Sequence, residues 1–338
     1  MILRGRLLHK IKKAGLVGRG GAAFPTAAKW EFVAQAKGKQ KYVICNASEG
    51  ELGVFKDFFI LQHYPEKVFK GLCLAMDYLK TKKAYLNLNQ HYYDQLKNKI
   101  NAFLRDAKKK GYDIQIYKEH PSYIGGEETA LLNGIEGKRV EPRLKPPYPA
   151  QKGLFSCPTL VHNVETLFDI AETAEGEYDG KRFYCISGPI NAPGVFHLPS
   201  HWSIYQVLKA TNNIPHFGYF VQIGGSASGR VFASYQLRQE KVTGAGSIEV
   251  YRSTVTPHEM LYKWFMFYAE QSCGKCTPCR EGTFQLFKLI QENPKEIPWK
   301  KIRKILEVLE KTSFCALGAS VPVAVKSYCE NILHQPLV

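Results

Sequence analysis

Three cysteines stand at equal short intervals in the stretch SCGKCTPCREG, at Cys273, Cys276 and Cys279. Thiols that only fill apolar space need no such spacing, and here Gly, Lys, Thr and Pro lie between them. Cys-x2-Cys-x2-Cys bends the chain so that three sulfurs converge on one small object. Zinc sites usually bring thiols as separated pairs. Three thiols at unit spacing with one remote cysteine suit an iron–sulfur cubane, which takes four thiolates. The fourth candidate is Cys315 in SFCALGAS, 36 positions after Cys279. Helices opening at Arg280 and near Leu317 would turn backbone amides and positive dipole ends toward an anionic cluster. Cys329 is the rival fourth ligand, but it sits in a helical pattern facing apolar neighbours. Cys45, Cys73, Cys157, Cys185 and Cys329 read as small core residues.

A second set of residues suits a nucleotide. GLVGRGGAAFPTAAKWEF holds Gly15, Gly18, Gly20 and Gly21, with Pro25 near the start of a helix. Glycines allow positive φ and close backbone approach, so amides can wrap a phosphate or a flat ring. The loop follows a helix and not a strand, so it is not the usual dinucleotide fingerprint, and a plain tight loop is the competing reading. CNASEGELGVFKD (45–57) follows the first expected strand, where ligands gather in open parallel sheets. YIGGEETALLNGIEGKR (123–139) places Gly125, Gly126, Glu127 and Glu128 at a helix start, where simple capping would account for the acids. Glycine pairs beside paired carboxylates in a basic chain also suit ribityl or ribose hydroxyls, whose hydrogens a carboxylate accepts. No triad or dyad for nucleophilic or acid–base catalysis is found.

These residues need elements to hold them. Residues 41–118 alternate: KYVICN reads as a buried strand, PEKVFKGLCLAMDYLK as a helix, KAYLNLN as a strand, YYDQLKNKINAFLRDAKK as a helix and YDIQIYK as a strand. That alternation indicates a parallel, Rossmann-like α/β sheet. Loops rich in Gly, Glu and Pro interrupt it at 15–26 and 119–159. Residues 182–252 carry the short strands RFYCISG, GVFHL, FVQIGG and SIEVYR with one helix, SIYQVLKAT, a small mixed α+β module. From Thr256 four helical segments follow and imply a bundle. The expected domains are 1–176, 177–253 and 254–338.

Bulk properties set outer bounds. A chain of 338 residues has room for two or three domains, and 45% hydrophobic residues mark it as globular. Nine cysteines are too few and too odd in number for a disulfide framework, so reduced thiols in a cytoplasmic setting are expected. No run approaches the roughly 18 apolar residues of a membrane span. The net charge of +16 raises nucleic acid as a partner. The lysines are scattered, however, and the run DAKKKGYD reads as a solvated helix end, so no nucleic-acid partner is expected. The basic start MILRGRLLHKIKKAG could pass for a presequence, but cleavage would damage the glycine loop. A docking helix over 2–13 is the expectation.

The segments GRGGAAFPTAAKW, CNASEGELGVFKD, YIGGEETALLNGIEGKRVEPRLKPPYPAQKGLFSCPTLVHNVETL, SCGKCTPCREGT and FCALG, in this order over 15–318, resemble the NADH-binding flavoprotein subunit of respiratory complex I. They also resemble its relatives in NAD-reducing hydrogenases and formate dehydrogenases. The resemblance implies a Rossmann-like FMN domain, a ubiquitin-like β-grasp domain and a helical bundle with a 4Fe-4S cluster. It implies that FMN lies against Gly18, Gly20 and Lys29, with Asn46, Ser48, Glu49, Tyr123, Gly126, Glu127, Glu128, His162 and Asn163 around it. Phe24 and Phe32 match aromatics that sandwich the adenine of NADH. Glu51, Lys145 and Tyr148 match its other nucleotide contacts, and Glu128 stands where a 2′-phosphate is repelled. Cys273, Cys276, Cys279 and Cys315 match the cluster ligands.

Implied partners are a thioredoxin-like 2Fe-2S subunit and a further iron–sulfur subunit, or a hydrogenase or formate dehydrogenase module. Through them the chain would lie against the inner face of a membrane without entering it. The chain departs from the family pattern in four places. Ser48 stands for the usual Asp, Leu52-Gly53-Val54 for Pro-Gly-Thr, His162-Asn163 for an Asn pair, and Tyr148 for the commoner Phe. The family's segment before the glycine loop is almost absent and the tail is short. A chain that has lost flavin and keeps only its cluster is the alternative these changes feed.

Overall fold

The computed structural model describes residues 2–119, 122–335 and 337. They form two compact units, one of residues 1–50 and 55–182, the other of residues 51–54 and 183–338.

The first unit is built on four parallel strands, β1 (Tyr42–Ala47), β2 (Lys83–Asn89), β3 (Asp113–Glu119) and β4 (Thr159–Asn163), in the order β3-β2-β1-β4. Among the described residues eight helices accompany them: α1 (Ile2–Lys13), α2 (Thr26–Gln35), α3 (Lys56–His63), α4 (Pro65–Leu79), α5 (Gln90–Lys109), α6 (Glu128–Ile135), α7 (Pro149–Lys152) and α8 (Val164–Glu175). Parallel strands need crossovers, and the helices supply them. The expected strand–helix–strand alternation is therefore present. Four elements lie outside the sequence expectation: α3, α7, α8 and β4. β4 is five residues long and starts behind Pro158, inside what reads as loop, and only its pairing with β1 makes it a strand.

Local chemistry sets the helix ends. Pro65 opens α4, whose buried residues Val68, Leu72, Ala75, Met76 and Leu79 recur at helical spacing. The Asn89 side chain caps α5 by accepting from the Tyr92 amide, and Asn163 caps α8 from the Glu165 amide. Gly176, at φ +85°, ends α8 in the left-handed region.

The second unit holds a five-stranded mixed sheet of β5 (Lys181–Ser187), β6 (Gly194–Pro199), β7 (Tyr219–Ile223), β8 (Arg230–Ala233) and β9 (Ser247–Arg252), ordered β6-β5-β9-β7-β8. Helix α9 (Ile204–Ala210) is opened by a Ser203/Gln206 capping box and buries Ile204, Val207 and Leu208 against Tyr184, Ile186, Val221 and Ile248. Then come α10 (Pro257–Gln271), α11 (Thr277–Glu292), α12 (Trp299–Thr312) and α13 (Ala316–Asn331). The edge strand β8 is not left open. The Val231 amide donates to Ser327 Oγ at 2.9 Å and Asn331 Nδ2 donates to the Val231 carbonyl at 2.8 Å, so side chains of α13 cover the edge. β8, four residues long, also lies outside the sequence expectation. Among the described residues no helix is long and apolar enough to cross a membrane.

Candidate functional site

The strand order 3-2-1-4 reverses between β1 and β4, the place where open parallel sheets receive ligands at their carboxyl ends. Those ends carry Asn46 on β1 and Asn163 on β4, which face each other in register. The glycine loop comes to the same place. Its neck is closed by the Gly18 amide on the Phe24 carbonyl and the Thr26 amide on the Leu16 carbonyl, both at 2.9 Å. Gly21 lies at φ +114°, where only glycine is at ease. A Cβ on Gly20 would stand 3.4 Å from the Asn163 Cβ, so loop and strand end nearly touch.

Arg19 fastens the loop. Its amide donates to Thr166 Oγ1 at 2.9 Å, and its guanidinium lies 3.0 Å from Asp169 on α8. Deeper in, Lys56 bridges Asp57 and Glu165 and donates to Asn163 Oδ1 at 3.1 Å. Glu49, at φ +44°, accepts from the amides of Asp57 and Phe58 and from the Tyr92 hydroxyl. Burial, and then the charge of Asp57, push its carboxyl up to about 7 against the pull of Lys56. Burial likewise raises Asp57 and takes Asp169 up to about 7. The common cause is burial, which the nearby Lys56 and Arg19 only partly offset, with repulsion between neighbouring carboxyls adding to it. A non-glycine residue in the left-handed region beside such a cluster marks stored strain, which gathers at functional sites.

Across the cleft, the Glu127 side chain caps α6, accepting from the amides of Thr129 and Ala130 at 2.9 Å. Its other oxygen takes Lys145 at 2.7 Å. Glu128 sits between Lys29 at 3.1 Å and Lys145 at 3.3 Å. Burial works against its charge, but the two lysines outweigh burial and hold Glu128 below the usual carboxylate range. Lys29 also donates to the Val161 carbonyl at 3.0 Å, and so ties α2 to β4. Gly126 accepts Asn46 Nδ2 on its carbonyl, and a Cβ there would come within 3.3 Å of Ser48 Cβ. Tyr123 opens the short 3-10 turn before it.

Phe24, Phe32 and Tyr148 are exposed, an unusual state for large aromatics, and the two Phe rings stand 6.3 Å apart. His162 does not point freely at a ligand. It is buried, and its Nε2 accepts from Trp30 Nε1 at 2.7 Å. Burial and then the charge of Lys29 lower its pKa far below the ordinary value, so the ring is neutral. Glu51 belongs to the second unit, where its carboxylate accepts from Ser228 Oγ at 2.7 Å and from the Ala227 amide at 3.2 Å. The residues missed in the sequence are Arg19, Lys56, Asp57, Asn87, Glu119, Glu165 and Asp169. Asn87 lies near the carboxyl end of one expected strand and Glu119 directly follows another, which is signal enough; Glu165 and Asp169 lie on a helix the sequence does not disclose.

These residues suit a flavin. Close approach at Gly20 and Gly126 forms a cradle that a side chain would fill, and Asn87 Oδ1 and Glu119 Oε1 are buried with no hydrogen-bond partner.

In the second unit, Cys276 and Cys315 occupy the N-caps of α11 and α13, and Cys279 lies in the first turn of α11. α13 begins at Ala316, beside the expected Leu317, whereas α11 begins at Thr277, one turn before the expected Arg280. Burial pushes the Cys279 thiol up to about 11, and Cys276, Cys315 and Cys273 add to the rise. The four thiols are thus electrostatic neighbours, and Cys329 is not among the groups acting on Cys279. Among the described residues only Glu172, Glu175 and Glu177 bring three ligand atoms within 4.8 Å of one another, so no three of these sulfurs do. A zinc cage with bonds of about 2.3 Å would need sulfurs about 3.8 Å apart. The wider set, under two helix N-termini, fits a polynuclear anionic centre.

Comparison with known proteins agrees with both halves. The family model described as the Nuo51 FMN-binding domain matches residues 11–172. The model described as the NADH-ubiquinone oxidoreductase-F iron-sulfur binding region matches residues 259–335. The chain is 31% identical to the NADH-quinone oxidoreductase F-subunit 2 of Rhizobium meliloti, over 95% of this chain and 85% of that protein. It is 31% identical to the alpha subunit of the NAD-reducing hydrogenase HoxS of Cupriavidus necator over 96% of its own length, and spans 59% of that protein. The crystal structure of an NAD+-reducing NiFe-hydrogenase in the H2-reduced state matches with a TM-score of 0.90 at 31% identity, covering 99% of this chain and 62% of that one. The chain therefore belongs to the NADH-quinone oxidoreductase F-subunit family, with its FMN-binding domain and its iron–sulfur binding region.

Proposed function

We propose that this chain oxidises NADH at bound FMN and passes the electrons singly through a 4Fe-4S cluster to a partner subunit. When bound, the flavin supplies the conversion between a two-electron hydride donor and a one-electron acceptor. The chain's own residues bind and orient. Gly18, Gly20 and Gly126 let backbone approach the flavin, and Lys29, Asn46, Ser48, Glu49 and Asn163 offer it polar partners. Tyr123, Glu127 and His162 shape the same cradle. Phe24 and Phe32 take the adenine of NADH between them, with Tyr148 and Lys145 as further nucleotide contacts. Glu128, ionised between its two lysines, repels a 2′-phosphate and so favours NADH over NADPH. Hydride transfer asks no side chain to act as acid or base. Cys273, Cys276, Cys279 and Cys315 hold the cluster.

On this reading residues 1–176 are a Rossmann-like flavin domain. The residues after it divide into a ubiquitin-like β-grasp domain, 177–253, and a cluster-binding bundle, 254–338. The partners are a 2Fe-2S subunit of thioredoxin-like fold and a further iron–sulfur subunit or hydrogenase or formate dehydrogenase module. The chain works in the cytoplasm, held to a membrane only through them. What supports the reading above all is the meeting of the glycine loop with Asn46 and Asn163 where the strand order reverses.

The test is anaerobic purification of the full chain with flavin, iron and sulfide quantified, then NADH-driven reduction of ferricyanide. Stoichiometric FMN and NADH-dependent turnover are expected, with NADPH far slower. Material with iron but no flavin would support the flavin-free alternative, and colourless material without iron would defeat both.

A further inference from the structure

The carboxyl ends of the parallel strands hold an acid that no resemblance assigns to the site. Glu119 closes β3 and pairs in register with Asn89, and Asn87 of β2 pairs with Asn46 of β1. Their side chains meet Ser48 in one buried cluster. Ser48 Oγ lies 2.9 Å from both Asn46 Oδ1 and Glu119 Oε2. Asn87 Nδ2 lies 2.9 Å from Ser48 Oγ, 3.1 Å from Asn46 Oδ1 and 3.2 Å from Glu119 Oε2. Glu119 is only 6% exposed, and its Oε1 is buried with no hydrogen-bond partner.

A buried carboxyl with an idle oxygen is costly, and folding alone would be served as well by an amide. The cluster lies at a cradle where the family pattern expects an acid at residue 48, and this chain has serine. A serine hydroxyl carries one hydrogen and two acceptor lone pairs. The hydrogen has two acceptors within reach, and a carboxylate makes the stronger bond. Given to Glu119, it leaves Ser48 Oγ with one lone pair on Asn87 and one unused. Ser48 backed by Glu119 then offers what an aspartate at 48 would offer: an electron-rich acceptor.

We propose that Glu119 is a positioning residue of the flavin site, which returns to the pocket the negative charge that Ser48 lacks and makes Ser48 Oγ an acceptor for a ribityl hydroxyl. The inference rests on the flavin reading given above. Glu119 need not touch the flavin; it acts through the serine hydroxyl.

A charge swap tests this on the full chain, read as FMN affinity by titrating flavin-depleted protein and as the flavin midpoint potential. Glu119→Gln weakens oxidised FMN about tenfold, the size of one weakened charge-assisted hydrogen bond. It weakens the anionic reduced form less, so the potential moves positive. Ser48→Asp in the Glu119→Gln background restores the affinity. Ser48→Asp alone sets two carboxylates side by side and weakens FMN.

A purely structural role predicts a lower melting temperature for flavin-free Glu119→Gln; the relay predicts one equal or higher, since a buried charge is removed. Unchanged affinity and potential in Glu119→Gln, or a swap that binds no better than Glu119→Gln, would overturn the proposal. If Glu119→Gln does not fold, Ser48→Ala carries the test: it must lower affinity by a similar factor, and unchanged affinity overturns the relay. Failure of the unsubstituted chain to take up FMN would instead overturn the flavin reading itself.

Discussion

Cys276 is fixed by two neighbours in sequence and by one helix start. It N-caps α11 without offering a side-chain hydrogen bond, so its sulfur is left for another task. Cys45, Cys185 and Cys329 are buried as small core residues, but Cys73 and Cys157, expected with them, are only half-buried; of the candidate ligands Cys279 is buried and Cys273, Cys276 and Cys315 keep partial exposure. A four-thiolate centre does not survive loss of a ligand at full strength. Cys276→Ala is expected to abolish bound iron and acid-labile sulfide while FMN stays bound and is bleached by NADH. Iron assay and flavin absorbance on the anaerobic protein check this. Retention of both iron and flavin would remove Cys276 from the ligand set.

The glycine loop shows how an element lends precision to residues that have no rigidity themselves. Loops with φ values such as that of Gly21 are entropically costly to hold. Arg19 holds this one, joining its backbone to Thr166 and its guanidinium to Asp169 on α8, with Glu165 at 3.9 Å. Helix α8 in turn starts from Asn163, so loop, helix and strand end form a closed circuit. Arg19→Met leaves Asp169 and Glu165 buried without that cation. The expected loss is about 3–5 kcal/mol of stability, as for other broken buried pairs. Urea unfolding of the full chain measures it, and FMN affinity should fall in parallel because the loop is no longer fastened. A loss below about 1 kcal/mol would mean that protonation of Asp169 already replaces the pair.

The protein as a whole is basic on its surface and acid-rich in one buried place. Glu49, Asp57, Glu165 and Asp169 share Arg19 and Lys56, with Arg182 also acting on Asp169. Burial raises Glu49 and Asp169 to about 7. A carboxyl whose native value exceeds its unfolded one keeps its proton in the fold after the unfolded chain has lost it. Unfolding then releases a proton, and stability falls as pH rises from the ordinary carboxylate range through about 7. Glu128, Glu136 and Glu175 are shifted the other way. Their contribution is present above the ordinary carboxylate range and is lost only in more acidic solution. Buried His162, held far below its ordinary value, opposes them by adding stability as pH rises to the ordinary imidazole range, but from about pH 5 to about pH 8 the raised acids outnumber it and set the slope. The melting temperature of the flavin-free chain is expected to decline over that range, and Glu49→Gln to flatten the decline. Calorimetry at matched ionic strength reads this. A rising midpoint would mean that all four acids are ionised in the fold.

Much of this is legible without coordinates. The thiol spacing points to a shared centre, because burial of small apolar groups needs no such pattern, and the match of residues 259–335 to an iron-sulfur binding region agrees. Strands β1, β2 and β3 and helices α4 and α5 can be read because each carries its own hydrophobic period over enough residues. The short edge strands cannot. β4 and β8 are short, and pairing with β1 and β7 makes them strands. The sequence can place Ser48 and Glu128 near a ligand, but not Glu119 beside Ser48, because a hydrogen bond between residues 71 apart exists only once three parallel strands are in register. Local propensity is written in neighbours along the chain. Which buried charges meet, and which of them keep a proton, is decided by the dielectric and the distances that folding creates.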